Sequence, residues 1–272
     1  MIYILVVLYN KSLQTSDTLQ GLLQSSVIIK NINASVMVWD NSATPSLNNS
    51  DIAFLKQKFI FLYHHCPANK PLSYVYNNII EKVSAHEQYK YLVLLDDDSK
   101  ISSGYFQELS DVIQSTNNAD IILPIAQNNN VIISPAKLFF VKGNYFKSIE
   151  NGFYKGNLLA INSGMAISIS FIKRYNFKYD SRLLSYGTDN YIMNFANKKK
   201  AKYYIMNSSF EHDYNFYNIK DFKKKAEVFS QIKQANKIAF SSNIIQSILI
   251  SVYNLMASFK NAIKFRSLKF FS

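Results

Sequence analysis

The feature that most constrains this chain is a short apolar run that ends in three consecutive acids. Residues 91–95 read YLVLL, and Asp96, Asp97 and Asp98 follow directly. An unbroken apolar run of this length predicts a strand that is buried on both faces of a sheet. Ligands of open α/β sheets bind outside the carboxyl ends of such strands. The three acids are therefore expected at the functional edge of the sheet.

Three adjacent carboxylates repel one another, so a compensating cation is expected beside them. Carboxylate oxygens are hard ligands that favour Mg2+ or Mn2+, and Mg2+ is commonly held by one or two carboxylates together with substrate phosphates. A nucleotide diphosphate would complete a site of this kind. The triplet alone is also compatible with a solvated acidic turn after a strand.

The first hundred residues alternate apolar strands with helical segments. Strands are expected at residues 2–8, 34–39, 59–63 and 91–95, and helices at about 16–26, 52–58 and 72–83. This alternation predicts a mostly parallel α/β sheet with helices on both faces. The second strand also ends in an acid, Asp40, so Asp40 and the acid triplet should project toward one crevice.

Glycine-rich phosphate loops are absent from the sequence. The chain has only 7 Gly in 272 residues, and neither a GxGxxG nor a GxxxxGK[ST] pattern occurs. Since those loops bind phosphates through their main-chain N–H groups, a nucleotide here would have to be held by side chains and a metal ion.

A hydrophobic content of 48% suits one main globular domain with an appendage.

The second half of the chain is less regular. Residues 121–124 and 131–134 are expected to be strands joined by a polar turn, a helix is expected at about 190–197, and a further strand at 201–206 leads to Glu211, His212 and Asp213. These three residues form the second concentration of polar side chains.

The last fifty residues form a basic, helix-prone tail. Residues 238–259 contain no charged residue, but serine, asparagine and glutamine dilute the stretch, and Lys260, Lys264, Arg266 and Lys269 follow it. This pattern is typical of an interfacial helix that lies on an anionic membrane surface. The alternatives are a helical cap on the main domain and a surface for self-association as a homodimer.

Compartment and partners are constrained by charge, by cysteine content and by the N-terminus. The net charge of +12 calls for an anionic partner. The single cysteine, Cys66, favours a reducing compartment, and the first strand is not preceded by a signal-peptide pattern. A cytoplasmic protein, peripheral on the inner face of the cell membrane, is expected. No nucleic-acid-binding motif is present, so nucleic acid is not an expected partner.

An ordered set of motifs resembles the inverting glycosyltransferases of family 2. The motifs occur at Ile4 to Asn10, Trp39 to Ser42, Asn69 to Asn78, Leu94 to Ser99, Asn162 to Gly164, Tyr186 to Asp189 and Glu211 to His212. The sequence is most similar to the rhamnosyltransferase-like branch of bacterial surface-polysaccharide enzymes. The resemblance covers residues 1–215, with a nucleotide-sugar half at about 1–100 and an acceptor half at about 101–215. The basic amphipathic helical tail is residues 216–272.

The resemblance implies a GT-A fold, a nucleotide-sugar donor and a glycan acceptor. The donor would be a UDP, GDP or dTDP sugar, and the acceptor a glycan or lipid-linked glycan of O-antigen or capsule synthesis. The family acid that recognises the nucleobase corresponds to Asp40. The family DxD motif corresponds to the triplet, with Asp96 near the ribose, Asp97 in the variable middle position and Asp98 on the metal.

The same resemblance implies roles for residues outside the triplet. Asp189 corresponds to the catalytic base, although Thr188 stands where the family usually has a first acid. His212 corresponds to a histidine that contacts metal or diphosphate. The remaining residues that would bind the nucleotide sugar are Tyr9, Asn10, Lys70, Ser163 and Gly164.

Two other functions fit parts of the sequence. A strand that ends in Asp-Asp-Asp-Ser also suits a phosphatase of the haloacid-dehalogenase type, although that motif usually opens the chain, whereas here it follows two strand–helix units. The positive charge would also suit a nonenzymatic basic module that binds membrane or nucleic acid.

Overall fold

The computed structural model describes residues 1–116, 119–212, 219 and 221–271. Asp213, which we expected beside His212, lies outside the described residues. The strands in the described ranges are β1 (Ile2–Leu8), β2 (Ser35–Asp40), β3 (Ile60–His65), β4 (Tyr91–Asp96), β5 (Ile121–Asn128), β6 (Val131–Ser134), β7 (Ala136–Phe139), β8 (Lys142–Tyr145), β9 (Gly152–Tyr154), β10 (Leu158–Leu159), β11 (Ala166–Ser168) and β12 (Tyr203–Glu211).

Helices follow most of the long strands. They are α1 (Asp17–Gln24), α2 (Ser26–Asn31), α3 (Asn49–Lys58), α4 (Leu72–Ser84), α5 (Ser103–Thr116), α6 (Ile169–Tyr175), α7 (Thr188–Lys198), α8 (Phe222–Phe240) and α9 (Ile244–Phe265), followed by a 3-10 turn at Leu268–Phe271. The predicted strand–helix alternation of the first hundred residues is confirmed.

One large mixed sheet organises the protein. Its strand order is β3-β2-β1-β4-β11-β5-β12-β9, with β6 beside β5. Strands β1, β2, β3 and β4 run parallel, as do β5 and β12. The predicted mostly parallel α/β sheet is therefore confirmed. The carboxyl ends of β1, β2 and β4 meet at one edge, where Asp40 and the acid triplet lie.

Strand β11 is the antiparallel member between β4 and β5. Because it runs in the opposite direction, the loop that precedes it reaches the carboxyl edge of β4. There the Gly164 N–H donates to the carbonyl oxygen of Leu94 at 2.8 Å. The insertion of β11 thus places residues 161–164 beside the acid triplet.

The sheet is covered by helices on both faces. Every residue of β1 is buried, and its side chains alternate between two apolar clusters, one with α4, α6 and α7 and the other with α1, α3 and α5. This alternation follows from the period of two in a strand. It explains why the strand sequence is apolar throughout and shows no polar alternation.

The C-terminal helices pack on the main domain, α8 through several residues and α9 through Ile250 and Tyr253. Ala235, Ala239 and Phe240 of α8 belong to the cluster that contains α7, and Asn194 of α7 donates to the carbonyl oxygen of Ala239. Gly187 has a φ of +82°, and a Cβ there would collide with Ala235. In the described ranges, no helix combines the length and the apolar character needed to cross a membrane.

Candidate active site

The middle acid of the triplet holds two loops together. The Asp97 carboxylate accepts a hydrogen bond from the Tyr9 N–H at 2.9 Å and forms an ion pair with Lys11 Nζ at 3.0 Å. Burial raises the pKa of Asp97, while the contacts with Lys11 and Tyr9 oppose that rise. Asp97 therefore fastens the loop after β1 to the turn after β4.

The charges of three other carboxylates act on Asp96. Burial raises its pKa to about 7, and the charges of Asp98, Asp97 and Asp189 add to the effect, while Lys11 opposes it. The charge of Asp189 acts on Asp96 although 93 positions separate the two in the sequence. The structure thus brings together the predicted DxD motif and the predicted base.

Asp189 lies in the first turn of α7. The helix begins after Gly187, whose left-handed conformation turns the chain, and Asp189 Oδ1 accepts a hydrogen bond from the Asn190 N–H at 2.8 Å. Burial raises the pKa of Asp189, and the main-chain hydrogen bonds oppose that rise. A partly buried carboxylate with a raised pKa accepts a proton more readily than an exposed one, as a general base must.

The loop before β11 connects the two acids. Ser163 Oγ accepts a hydrogen bond from the Asp96 N–H at 3.2 Å and also contacts the Ser99 hydroxyl. The adjacent Asn162 donates from Nδ2 to the Thr188 hydroxyl at 2.8 Å. Two neighbouring residues therefore hold the end of β4 and the start of α7, which fixes Asp96 relative to Asp189.

Helix α4 holds the segment that leads to α7. The Asn77 side chain donates to the Tyr179 carbonyl oxygen at 2.9 Å and accepts from the Tyr179 N–H at 2.8 Å. One turn away, Ser73 donates to the carbonyl oxygen of Leu183. The motif from Asn69 to Asn78 thus anchors the segment that leads to the candidate base.

Tyr76 of α4 is fully buried, and the charges of Asp96 and Asp189 act on its hydroxyl. Burial and the charges of Asp96 and Asp189 raise its pKa well above the ordinary value. Its hydroxyl therefore stays protonated over the working pH range. Sequence reasoning singled out neither Tyr76 nor Asn162 as a site residue. Only the position of Asn162 before Ser163 and Gly164 could have indicated it.

Local packing constrains which residues can stand at positions 163 and 164. Ser163 is buried, and its hydroxyl oxygen accepts the hydrogen bond from the Asp96 N–H at the end of β4. Gly164 has a φ of +81°, and a Cβ there would lie 2.7 Å from the Pro124 side chain and 3.2 Å from the Phe210 ring. Packing and backbone conformation therefore require this glycine. The expectation that the two residues line a sugar pocket stays a prediction.

Asp40 organises the loop after β2. Its carboxylate accepts hydrogen bonds from the Ser42 N–H at 3.0 Å, the Ser46 N–H at 2.6 Å, the Ser46 hydroxyl at 3.2 Å and the Tyr63 hydroxyl at 2.6 Å. Burial acts to raise the pKa of Asp40, but these hydrogen bonds outweigh it and hold the pKa below its ordinary value. Contact of Asp40 with a nucleobase stays a prediction.

Three more predicted nucleotide-sugar residues border the same edge. Tyr9 is exposed, and the Asn10 N–H donates to the Ser42 hydroxyl at 2.8 Å. The main chain of Lys70 is held by the Asn41 side chain, and Lys70 Nζ lies 5.4 Å from the centroid of the Tyr74 ring. The structure therefore brings the loops after β1, β2 and β3 together at the carboxyl edge of the sheet.

The fit of a divalent cation can be tested at Asp98. Asp98 Oδ1 is buried and has no hydrogen-bond partner in the described part of the chain. Within those same ranges, no three His, Cys, Asp or Glu side chains form a group that could hold a metal. A single unpartnered carboxylate oxygen fits the mode in which Mg2+ takes one or two protein carboxylates and the phosphates of its substrate.

His212 closes β12 at the same edge of the sheet. Its N–H donates to the carbonyl oxygen of Gln127 at 2.9 Å, and its ring lies 6.2 Å from that of Phe210. Because β12 runs parallel to β5, His212 lies at the carboxyl edge, as predicted. Its contact with a metal or a diphosphate stays a prediction.

Comparison with known proteins finds similarity in structure only. No protein-family model matches the sequence, and no curated protein matches it. S. aureus TarS 1–349 with UDP is similar over 96% of this chain and 71% of TarS 1–349, at 10% identity and a TM-score of 0.54. The complex of the same TarS fragment with UDP-GlcNAc covers 92% of this chain and 69% of the other, at 9% identity and a TM-score of 0.55.

A second protein of known structure shares the architecture. GalNAc-T7 with UDP, GalNAc and Mn2+ is similar over 79% of this chain and 43% of its own, at 13% identity and a TM-score of 0.59. At such low identity the similarity establishes the fold alone. The predicted GT-A fold is therefore confirmed: a mostly parallel central sheet flanked by helices.

Proposed function

We propose that this protein is an inverting glycosyltransferase that moves one sugar from a nucleotide diphosphate donor to a hydroxyl of a glycan or lipid-linked glycan. The observation that carries the proposal is the arrangement of Asp96 and Asp189 at the carboxyl edge of a GT-A sheet, with the pKa of both carboxyls raised. The complexes of TarS with UDP and UDP-GlcNAc support a nucleotide-sugar donor.

Asp189 is the base in this proposal. The acceptor hydroxyl attacks the anomeric carbon from the face opposite the leaving group, and its proton passes to the Asp189 carboxylate. The bond from the anomeric carbon to the diphosphate oxygen breaks, and its electron pair leaves with the nucleoside diphosphate. A single displacement of this kind inverts the anomeric configuration. The contacts of Asn162 and Ser163 keep the base at a fixed place beside the donor site.

Asp98 would hold the divalent cation through its unpartnered Oδ1, and His212 is the second candidate ligand. When bound, Mg2+ or Mn2+ neutralises the charge that develops on the nucleoside diphosphate as it leaves. Mn2+ in the GalNAc-T7 structure supports a divalent ion in this fold. No acid is then needed to protonate the leaving group.

The loops around the crevice would recognise the rest of the donor. Asp40 would contact the nucleobase, Asp96 the ribose, and Lys70 a phosphate, while Ser163 and Gly164 would face the sugar. Because Asp40 already accepts several hydrogen bonds, a base contact would have to replace or share one of them. In this proposal the protein is a rhamnosyltransferase-like enzyme, and its pathway is the synthesis of a bacterial surface polysaccharide.

A panel of nucleotide sugars tests the proposal. Purified protein with Mn2+ is incubated with UDP, GDP and dTDP sugars and glycan acceptors, and release of nucleoside diphosphate and of product is measured. Turnover of at least one donor, lost on chelation of the metal, is expected. A panel with no transfer and no donor hydrolysis would refute the proposal. Hydrolysis of simple phosphate esters with trapping of a phosphoaspartate would favour the phosphatase alternative.

A further inference from the structure

Helix α9 turns its polar side toward the protein and its apolar side outward. Its buried residues are Ile250, Asn254 and Ser258, and Asn254 donates to the carbonyl oxygen of Lys233 at 3.0 Å. Its exposed side chains are mostly large and apolar, with Ile245 exposed by 71% and Met256 by 66%. A helix on the surface of a soluble domain normally shows the opposite arrangement.

The exposed apolar residues form a continuous face along the helix. We call this the α9 face, and its members are Ile244, Ile245, Ile248, Leu249, Val252, Leu255, Met256, Phe259 and Ile263. They recur at spacings of three and four residues, which places them on one side. Contiguous apolar surfaces of this size mark sites of contact with proteins or membranes.

A second element extends the α9 face. Phe139 at the end of β7 is 70% exposed, and Phe140 in the turn between β7 and β8 is 43% exposed. The Phe140 ring lies 6.0 Å from the Tyr253 ring of α9 in an edge-to-face contact. Two segments far apart in the sequence therefore present apolar side chains side by side.

The charged residues of α9 and of the turn that follows it are all positive. No acidic residue follows Glu227 in the sequence, and Lys260, Lys264, Arg266 and Lys269 follow the uncharged part of the helix. All four are exposed. A basic border beside an apolar face complements a bilayer with anionic headgroups, because the apolar side chains enter the acyl boundary while the cations meet the headgroups.

We propose that the α9 face and the β7–β8 turn dock on the surface of an anionic lipid bilayer, with α9 lying in the plane of the interface. This inference goes beyond the transfer reaction and does not depend on it, because it uses none of the residues of the candidate active site. The docked surface would hold the protein where lipid-linked substrates are found.

Vesicle binding by the full chain tests the proposal, without donor or acceptor present. The chain is expected to sediment with vesicles that contain phosphatidylglycerol, to bind pure phosphatidylcholine more weakly, and to lose part of its binding at high salt. The combined variant Ile245→Ser, Leu249→Ser, Met256→Ser should bind anionic vesicles roughly tenfold more weakly or worse. Its control is Val27→Ser, Phe54→Ser, Ile60→Ser, which removes exposed apolar side chains from α2, α3 and β3 and should bind like the wild type.

A fluorescence measurement tests the geometry separately. Trp39 is the only tryptophan, and it is buried. The indole introduced by Phe259→Trp should be quenched by brominated lipids, while the emission of Trp39 should not. Absence of vesicle binding, equal binding by the face variant and its control, or an unquenched new indole would overturn the proposal. A dimer that the face variant dissociates, without vesicle binding, would show that a second copy covers the face.

Discussion

Asn162 donates a hydrogen bond of 2.8 Å to the Thr188 hydroxyl, and this contact joins the loop beside Asp96 to the helix that carries Asp189. Both partners are buried. The bond therefore sets the position of the candidate base without touching a reacting atom.

Removing the Thr188 hydroxyl should disturb transfer more than donor binding. Thr188→Val leaves the buried Asn162 amide without this acceptor, which should lower the free energy of unfolding by about 1 to 2 kcal/mol. Turnover per folded molecule should also fall, because Asp189 moves relative to the acceptor. Thr188→Ser, which keeps the hydroxyl, should restore turnover. Equal turnover in both variants would remove Thr188 from the positioning role.

The raised pKa of Asp96 should make its carboxylate destabilising at neutral pH. The folded chain binds this proton up to a pKa of about 7, against 3.8 for an ordinary aspartate. The contribution of protonated Asp96 to the free energy of unfolding is therefore fully present below about pH 3.8. It is lost as the pH rises through about 7, where the buried carboxyl ionises. In urea unfolding without donor or metal, Asp96→Asn should be more stable than the wild type at pH 8, by on the order of 2 kcal/mol. The difference should shrink at pH 5. Asp111→Asn, which removes an exposed carboxylate from α5, is the control for the loss of one negative charge.

Lys11 should hold down the pKa of both acids that it faces. Its ammonium forms the 3.0 Å ion pair with Asp97 and lowers the pKa of Asp96. Lys11→Gln should raise the pKa of Asp96 and of Asp97, because the opposing positive charge is removed, and a carboxyl NMR titration would detect the change. Lys56→Gln on the exposed side of α3 is the matched control. Unchanged titration in the Lys11 variant would mean that solvent screens the pair completely.

Asp40 should contribute to stability independently of any ligand. Asp40→Asn removes the charged acceptor of Ser42, Ser46 and Tyr63, so the free energy of unfolding should fall by about 2 to 3 kcal/mol at pH 7. Because the pKa of Asp40 is lowered in the folded chain, its contribution is present above the unfolded pKa of about 3.8 and disappears as pH falls below it. The gap between variant and wild type should therefore close in acid. A variant that loses nucleotide affinity but no stability would assign Asp40 to the base contact alone.

The sequence predicts the nucleotide-binding half of the fold well because its strands are continuous apolar runs. The predicted strands at 2–8 and 91–95 correspond to Ile2–Leu8 and Tyr91–Asp96. The hairpin of β5 and β6 and the helix near residue 190 are also confirmed. The short strands β7 to β11 are not predicted, because strands of two to four residues carry no readable period and, unlike β6, they do not follow a predicted strand and a polar turn.

The site is only partly readable from sequence for a different reason. Motif order predicts Asp96 and Asp189 as site residues, and the charge of Asp189 adds to the raised pKa of Asp96. The contacts that hold them, such as Asn77 with Tyr179 and Asn162 with Thr188, join distant segments through single polar side chains. No local pattern encodes such a pairing. The outward apolar side of α9 likewise follows from packing that composition does not reveal.

Transfer by Asp189→Asn tests the central claim most directly. The substitution keeps the size and the helix position of the side chain but cannot accept the acceptor proton. Turnover should fall by roughly 100-fold or more, while calorimetric affinity for the nucleotide sugar stays within about twofold of the wild type. The wild-type rate should rise with pH as the raised pKa of Asp189 is passed, because only the carboxylate accepts a proton. Turnover by Asp189→Asn within a few-fold of the wild type, at equal donor affinity, would contradict the account.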